Sequence, residues 1–359
     1  MPGMKPIRIG IVGTGGMAAA HARYFRAAGG VELASCYDID PARCAAYAAA
    51  HGVGHVAASL DELIDAVEAV SVVTSDAAHA PVALRALKAG RHVFCEKPLT
   101  VTLGEARRVA RAYARARRRG AIGMTNFSHR GAHFDLARRI VARGDLGELR
   151  YVRAHYLQGG LAVKGAWQAS KAIWRLQTAR GSAGVLGDLG CHLLDFVTGI
   201  CGPAAAVRCT LRTHPKIGAD GRRYTRWQGV ALDANDTAAV DVDFAGGAFG
   251  HCQTTRWAGG HRNDVLLEVH GTDGALSLGH TFPEKPFCRI CRGRAIKKWE
   301  WKDLPVPAFV SNWQRFVRAI RRGTPAQPDI FRGAEIQALL DACHRSAAGE
   351  KRIAPPTWR

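Results

Sequence analysis

A short apolar run, residues 7–12, ends in a cluster of glycines and passes into a segment of helical composition, 19–28. The same alternation then repeats. Strand-like runs at 31–37, 69–74, 92–95 and 121–125 are interleaved with helical stretches at 41–50, 80–89 and 103–119. Strands alternating with helices predict a parallel, doubly wound sheet. After about residue 126 the pattern changes. A helix at 134–143 ends at Gly144, and a strand at 149–158 leads into a long irregular segment up to Gly184. Further strand-like runs follow at 207–213, 237–244, 249–255, 264–270 and 275–278. The turns Ala245-Gly246-Gly247 and Gly271-Thr272-Asp273-Gly274 join some of them as hairpins, which reads as antiparallel sheet. Helices at 311–321 and 331–347 close the chain. The expectation is an α/β protein with a doubly wound domain over 1–126. An α+β domain with one large, mostly antiparallel open sheet follows over 127–359, with a cleft between the two.

Composition narrows the class. The chain has 359 residues, 47% of them hydrophobic, and no apolar run near the ~20 residues that span a bilayer. Its N-terminus enters a strand within a few residues, so no signal peptide, no membrane partner and a cytoplasmic location are expected. Cys36, Cys95 and Cys209 lie inside apolar runs and read as buried free thiols, without disulfides. Cys288 and Cys291 form a CxxC with no second pair at zinc spacing, so no metal is expected. The formal net charge of +20 comes partly from Arg-rich stretches at 107–119 and 289–302. The first reads as an amphipathic helix with Leu103, Val109 and Ala110 on its apolar side. With no nucleic-acid motif beside the charge, a solvated face is the reading, and its use is to steer anionic ligands.

The first strand ends in Gly13-Thr14-Gly15-Gly16-Met17-Ala18. Gly13 permits a tight turn, Gly15 and Gly16 let backbone approach a pyrophosphate, and Ala18 lets the helix pack closely. Strand, turn, helix and the acid Asp38 at the end of the next strand together read as a dinucleotide-binding (Rossmann) domain. Asp38 is placed for an adenosine ribose and against a 2′-phosphate, which favours NAD over NADP, although Arg43 lies close by. Asp40, just before Pro41, reads as a helix cap. Thr74, Ser75 and His79 lie along the cofactor's expected path, with Asp76 as a helix cap the competing reading. Glu96-Lys97-Pro98 stands where a parallel strand runs out, the place where such sheets bind ligands, and makes Lys97 a candidate catalytic group. In the second domain, a helix starting near Asp188 puts that carboxylate and the His192 imidazole on one face. That pairing suits a general base for a hydroxyl proton.

Together these residues resemble the glucose-fructose oxidoreductase and inositol dehydrogenase family, GFO/IDH/MocA. The N-terminal signature stands here as Gly10 to Ala18 with His21, the central one as His79 and Ala86 to Leu99, the third as Asp188 to Asp195. Gly144-Asp145-Leu146-Gly147-Glu148, Tyr156-Leu157-Gln158, Trp174-Arg175-Leu176 and the 333–346 helix also match, and the Tyr-Leu-Gln and Trp-Arg-Leu pieces look like a sugar-dehydrogenase branch. Two departures are Ser75-Asp76, where relatives often carry Pro-Asn, and Gly159-Gly160, where that branch often has an acid and a tryptophan.

The resemblance implies reversible hydride transfer between nicotinamide and a secondary alcohol of a sugar or cyclitol. Lys97 and His192 would serve the reacting oxygen, in either order of roles, and Asp188 would pair with His192. It implies cofactor contacts from Met17, Glu96, Lys97, Trp174 and Arg175, substrate contacts from Asn126, Tyr156, Arg175 and Asp188, a cis bond before Pro98, and a homodimer or homotetramer. The same family contains NAD-dependent redox-neutral glycosidases and non-catalytic NAD-binding regulators, which are the alternative readings.

Overall fold

The residues of β1 (Ile7–Val12) point by turns into two apolar layers, and that alternation organises the first part of the molecule. In this computed structural model, which describes residues 5–170, 172–281 and 285–359, the chain divides into two compact units. After β1 come α1 (Ala18–Ala28), β2 (Val31–Tyr37), α2 (Pro41–His51), α3 (Leu60–Ala66), β3 (Ala69–Val72), α4 (Asp76–Lys88), β4 (His92–Cys95), α5 (Leu103–Arg117) and β5 (Gly123–Thr125). Next are α6 (Ala132–Ala142), β6 (Leu149–Leu157), a π-helical turn (Leu186–Gly190), α7 (Cys191–Cys201), β7 (Ala204–Arg212), β8 (Thr237–Phe244) and β9 (Phe249–Thr255). The chain continues through β10 (Asp264–Gly271), β11 (Gly274–Thr281), β12 (Phe287–Arg292), α8 (Arg294–Lys298), β13 (Lys302–Asp303), α9 (Asn312–Arg322) and α10 (Ile330–Gly349).

The first unit runs to Ser128 and takes in Val310–Gln337 and Thr357–Arg359. Among the described residues its sheet has five parallel strands in the order β2-β1-β3-β4-β5. A parallel sheet must be covered on both faces. On one side Val12, Val70, Val72, Val93 and Cys95 pack under α3, α4, α5 and the start of α10. On the other, Ile9, Ile11, Ala69 and Phe94 pack under α1, α2 and α9. Phe94 meets Phe25, Trp313 and Phe316 with ring centroids 5.2–5.5 Å apart, so α9 supplies much of that second layer. The expected division at residue 126 is therefore corrected, since 310–337 return to the first unit to finish its sheet.

The second unit, His129–Phe309 with Ala338–Pro356, holds an eight-stranded sheet among its described residues. Its order is β13-β12-β11-β10-β6-β9-β8-β7, antiparallel except where β6 pairs with β9. Buried and half-buried positions alternate along β8, β9 and β10, the period-two pattern of a sheet with one face in the core. Arg130, just before α6, clamps Asp195 of α7 through two hydrogen bonds of 2.7 and 2.6 Å, both side chains buried. Such bidentate pairing fixes orientation as well as charge.

Most expected elements lie where the pattern places them, and three differences have physical causes. α4 begins at Asp76 rather than 80 and runs through Pro81, whose ring reads in isolation as a helix start. α3, opened by Ser59 accepting from the Glu62 amide, is too short to show periodicity. β12 hides inside the Arg-rich stretch, where Cys288 and Ile290 point inward and Arg289 outward. All ten cysteines are free thiols and nine are buried, as small hydrophobes are. Cys288 and Cys291, three apart on a strand, face opposite ways. No helix among the described residues is long and apolar enough to cross a membrane.

Candidate active site

The turn after β1 is shaped for backbone contact. Gly13 has φ +91°, and a Cβ there would lie 2.7 Å from the Val73 carbonyl and 2.8 Å from the Thr74 amide. Around Gly15 and Gly16, by contrast, no atom comes within 4 Å of a Cβ position. No side chain caps α1, and Met17 at its cap position is exposed. An uncapped helix start behind open glycine backbone fits a pyrophosphate. At the end of β2, Asp38 accepts from the Thr14 amide and hydroxyl at 2.7 and 2.8 Å, from the Asp40 amide at 3.0 Å, and from Arg43 at 2.6 and 3.3 Å. Burial works against its charge, but these hydrogen bonds, Arg43's foremost, hold its pKa down to about 2. The carboxylate a ribose needs is thus present and ionised, with Arg43 folded over it. Asp40 caps α2 through the Arg43 amide, as its position before Pro41 implies.

Lys97 leaves β4 from a braced loop. The preceding Glu96 is buried, and its carboxylate is held by His21 at 2.8 Å and by the Asn126 amide at 2.6 Å, while the Lys97 amide donates to its other oxygen at 3.3 Å. Burial pushes the Glu96 pKa up, yet hydrogen bonds from His21 and Asn126 and the nearby Lys97 charge leave it below the usual value. The His79 ring, 1% exposed, reaches the Pro98 carbonyl at 2.7 Å and the Thr74 carbonyl at 3.3 Å. The Lys97–Pro98 peptide is cis. The loop is thereby tied to β1's neighbourhood, to β5 and to α4, and the half-buried Lys97 side chain starts from a fixed point.

Glu96 and His79, expected against the cofactor, brace this loop from within the first unit. Asn126, expected against substrate, is 1% exposed; its amide donates to Glu96 and its carbonyl accepts from Asn312. Ser75, not Asp76, occupies the α4 cap position, exposed and without a side-chain cap bond; the Thr74 hydroxyl donates to its carbonyl.

In the second unit, Asp188 lies in the π-helical turn and His192 in the first turn of α7. The two are four residues apart, and the turn between them closes i→i+5 bonds in place of the α-helical i→i+4 pattern. The Asp188 carboxylate meets Arg256 at 2.5 Å and lies 3.7 Å from Arg175. Arg256 also donates to Gln158 at 3.2 Å, and Gln158 and the Tyr156 hydroxyl both donate to Asn263, at 2.7 and 3.0 Å. Trp174 and Arg175 share a short 3-10 turn, the guanidinium 5.4 Å from the indole. His192 is 6% exposed. Its ring stands edge to face with His129, centroids 4.4 Å apart, and 6.4 Å from Tyr156. Arg256, Asn263, His129 and His280 carried no local signal in the sequence, because each comes from a different strand or loop. Among the described residues no His, Cys, Asp or Glu group is arranged to hold a metal.

One neighbour of this cluster gives a pH prediction. His133, 2% exposed against Phe196, has its pKa pushed by burial from 6.5 down to about 4. The unfolded ring takes a proton near pH 6.5 and the folded ring only near 4. Stability is therefore full above 6.5 and falls by up to about 3 kcal/mol as pH drops through that window. Urea melts of His133→Phe at pH 7 and pH 4.5 should show a markedly smaller drop than the unsubstituted protein; an equal drop would reject the assignment.

Residues 7–126 match the oxidoreductase family with an NAD-binding Rossmann fold, GFO/IDH/MocA, and residues 134–277 match the GFO/IDH/MocA C-terminal domain. The chain belongs to this family. Levoglucosan dehydrogenase of Pseudarthrobacter phenanthrenivorans is 26% identical over 98% of this chain and 99% of its own. A 1,5-anhydro-D-fructose reductase of Ensifer adhaerens is 31% identical over 73% and 72%. Among solved structures, an oxidoreductase domain protein from Kribbella flavida superposes with a TM-score of 0.86 at 28% identity, covering 99% of this chain and all of that one. This GFO/IDH/MocA protein is an NAD-binding oxidoreductase, and its glycine turn and Asp38 have the shape and charge that cofactor requires.

Proposed function

We propose that this GFO/IDH/MocA protein moves a hydride between NAD and a secondary alcohol of a sugar, cyclitol or sugar derivative. The observation that carries the reading is Lys97. It is an amine on a loop braced by Glu96, His79 and Asn126, at the carboxyl end of a strand in a dinucleotide-binding sheet. The relatives' names, a levoglucosan dehydrogenase and an anhydrofructose reductase, support a sugar-like substrate.

NAD, when bound, supplies the hydride acceptor. Asp38 holds the ribose, and the Gly13 to Met17 turn holds the phosphates. His192 takes the hydroxyl proton, and the Lys97 ammonium stabilises the oxygen as it becomes a carbonyl. Asp188, with Arg256 and Arg175 on its carboxylate, Tyr156, Trp174 and Arg175 line the polyol side. Incubating the protein with NAD and a panel of inositols, hexoses and anhydrosugars should raise nicotinamide absorbance with at least one of them. Release of sugar from a glycoside without accumulating NADH would replace this reading with redox-neutral cleavage.

Asp38 gives the cofactor prediction. Its replacement by alanine removes the ribose acceptor and frees Arg43 for a 2′-phosphate. NAD affinity is expected to fall about tenfold, the worth of a charged hydrogen bond, while NADP affinity rises. Calorimetric titration with each cofactor reads both changes; unaltered affinities for both would remove Asp38 from the ribose site.

A further inference from the structure

The connection between β12 and β13, at one edge of the second unit's sheet, carries a surface that the proposed reaction does not use. It is built from α8 and the residues after it, part of the arginine-rich stretch of the sequence. Residues 289–303 hold six cations, Arg289, Arg292, Arg294, Lys297, Lys298 and Lys302, against two acids, Glu300 and Asp303. Arg289 is paired with Asp303 at 2.8 Å. Arg294, Lys297, Lys298 and Lys302 are exposed and meet no carboxylate among the described residues.

Apolar side chains stand among these charges. Trp299 is 87% exposed, Trp301 43% and Ile296 38%. Trp299 closes α8 at φ +59°, its amide donating to the Ile296 carbonyl. That is the left-handed region, where a bulky residue is an outlier and glycine or asparagine fits. Such strain, with so little of the ring packed on the protein, points to a contact outside it. A cavity of about 360 Å³ opens beside the patch, between α6 and β12. The buried Ile140 and Ile290 line it with Leu304, and the exposed Arg143, Arg292 and Lys302 edge it. Arg143 and Arg292 share one acid, Asp145, at 2.5 and 3.5 Å, so that edge keeps a positive excess.

We propose that this edge of the second unit lies on an anionic phospholipid bilayer. Trp299, Trp301 and Ile296 sit at headgroup depth, the exposed cations meet lipid phosphates, and the cavity takes an acyl chain of one lipid. A tryptophan ring, apolar with a polar N–H, favours that depth, and each Lys or Arg close to such a surface adds attraction. Nucleic acid offers phosphates and rings to stack on, but nothing for an isoleucine or an aliphatic cavity. A second copy of the chain is the poorer fit. A two-fold contact would set the patch against itself, cations on cations, in a chain whose formal charge is already +20. The expectation of no membrane partner came from the lack of a spanning segment, which a surface that only lies on a bilayer does not need.

Flotation with vesicles tests the proposal, using the full chain without cofactor or substrate. Vesicles of equal parts phosphatidylcholine and phosphatidylglycerol should carry the protein up at low salt, and vesicles of phosphatidylcholine alone should not. Lys297→Gln with Lys298→Gln should weaken binding about thirtyfold, two lost attractions of the usual size. Trp299→Asn should weaken it at least about tenfold, yet unfold at no lower urea than the unsubstituted protein, because asparagine suits the left-handed backbone. Equal flotation with the two kinds of vesicle, or of Trp299→Asn and the unsubstituted protein on the anionic kind, overturns the proposal, as does no flotation at all. Without flotation, retardation of a DNA or RNA duplex that Trp299→Asn loses would give the surface to nucleic acid. An oligomer that Trp299→Asn dissociates in the analytical centrifuge, again without flotation, would give it to a second copy.

Discussion

Lys97→Ala protein is expected to bind NAD as the unsubstituted protein does and to oxidise its polyol at least about a thousandfold more slowly. The size follows from the job. A group that stabilises charge developing on the reacting oxygen is worth roughly 10²–10³ in rate, and a positioned acid or base roughly 10²–10⁴. Cofactor affinity should be spared because the function proposed above assigns phosphates and ribose to the open glycine turn and Asp38. The loop should survive too, since Glu96 keeps His21, Asn126 and the Lys97 backbone amide, and His79 keeps the Pro98 carbonyl. His192→Ala should fall by a similar factor, and the double variant by far less than the product, because residues acting on one oxygen are not additive. Stopped-flow single turnovers with a calorimetric NAD titration separate these terms. Turnover within tenfold of normal in both single variants would sink the catalytic assignment.

The largest stability effect should come from Asp236. Its carboxylate and the Lys216 ammonium meet at 2.6 Å with both side chains wholly inaccessible to water. Lys216 also donates to the His214 carbonyl, and the His214 amide donates to Asp236. Removing one partner of such a pair leaves an uncompensated buried charge, which costs about 3–5 kcal/mol. Asp236→Ala is therefore expected to lose that much in urea melts. Lys216→Met with Asp236→Ala should recover most of it, because no lone charge then remains inside. A single variant within 1 kcal/mol of normal would show that water reaches the lysine.

The doubly wound sheet was readable because its evidence is local: each strand, turn and cap announces itself within a dozen residues. What such evidence lacks is the identity of the partner. The amphipathic stretch opened by Ser311 reads as a helix, yet nothing in it says that Trp313 and Phe316 belong against Phe94, over two hundred positions earlier. Glu96 and Asn126 have the chemistry and the place of ligand-binding groups, and nothing local says that the fold bonds them to each other. Asp188 and His192 were found by spacing, but the guanidinium on that carboxylate comes from Arg256, at the end of another strand, which spacing does not show. Lys97 could be singled out because a strand end is a position that sequence does mark.

The return of α9 to the first unit carries a consequence for synthesis. A domain built from the first 128 residues would fold as it left the ribosome; this one lacks the α9 part of the cover on one face of its sheet until residues 310–337 emerge. At about 5–20 residues per second, that wait is on the order of ten to forty seconds. Throughout it, the sides of Phe25 and Phe94 that Trp313 and Phe316 later cover face water or a chaperone. Ribosome-bound chains halted before residue 310 should therefore be captured by holdase chaperones and cut readily by protease, whereas chains extended past 337 should resist.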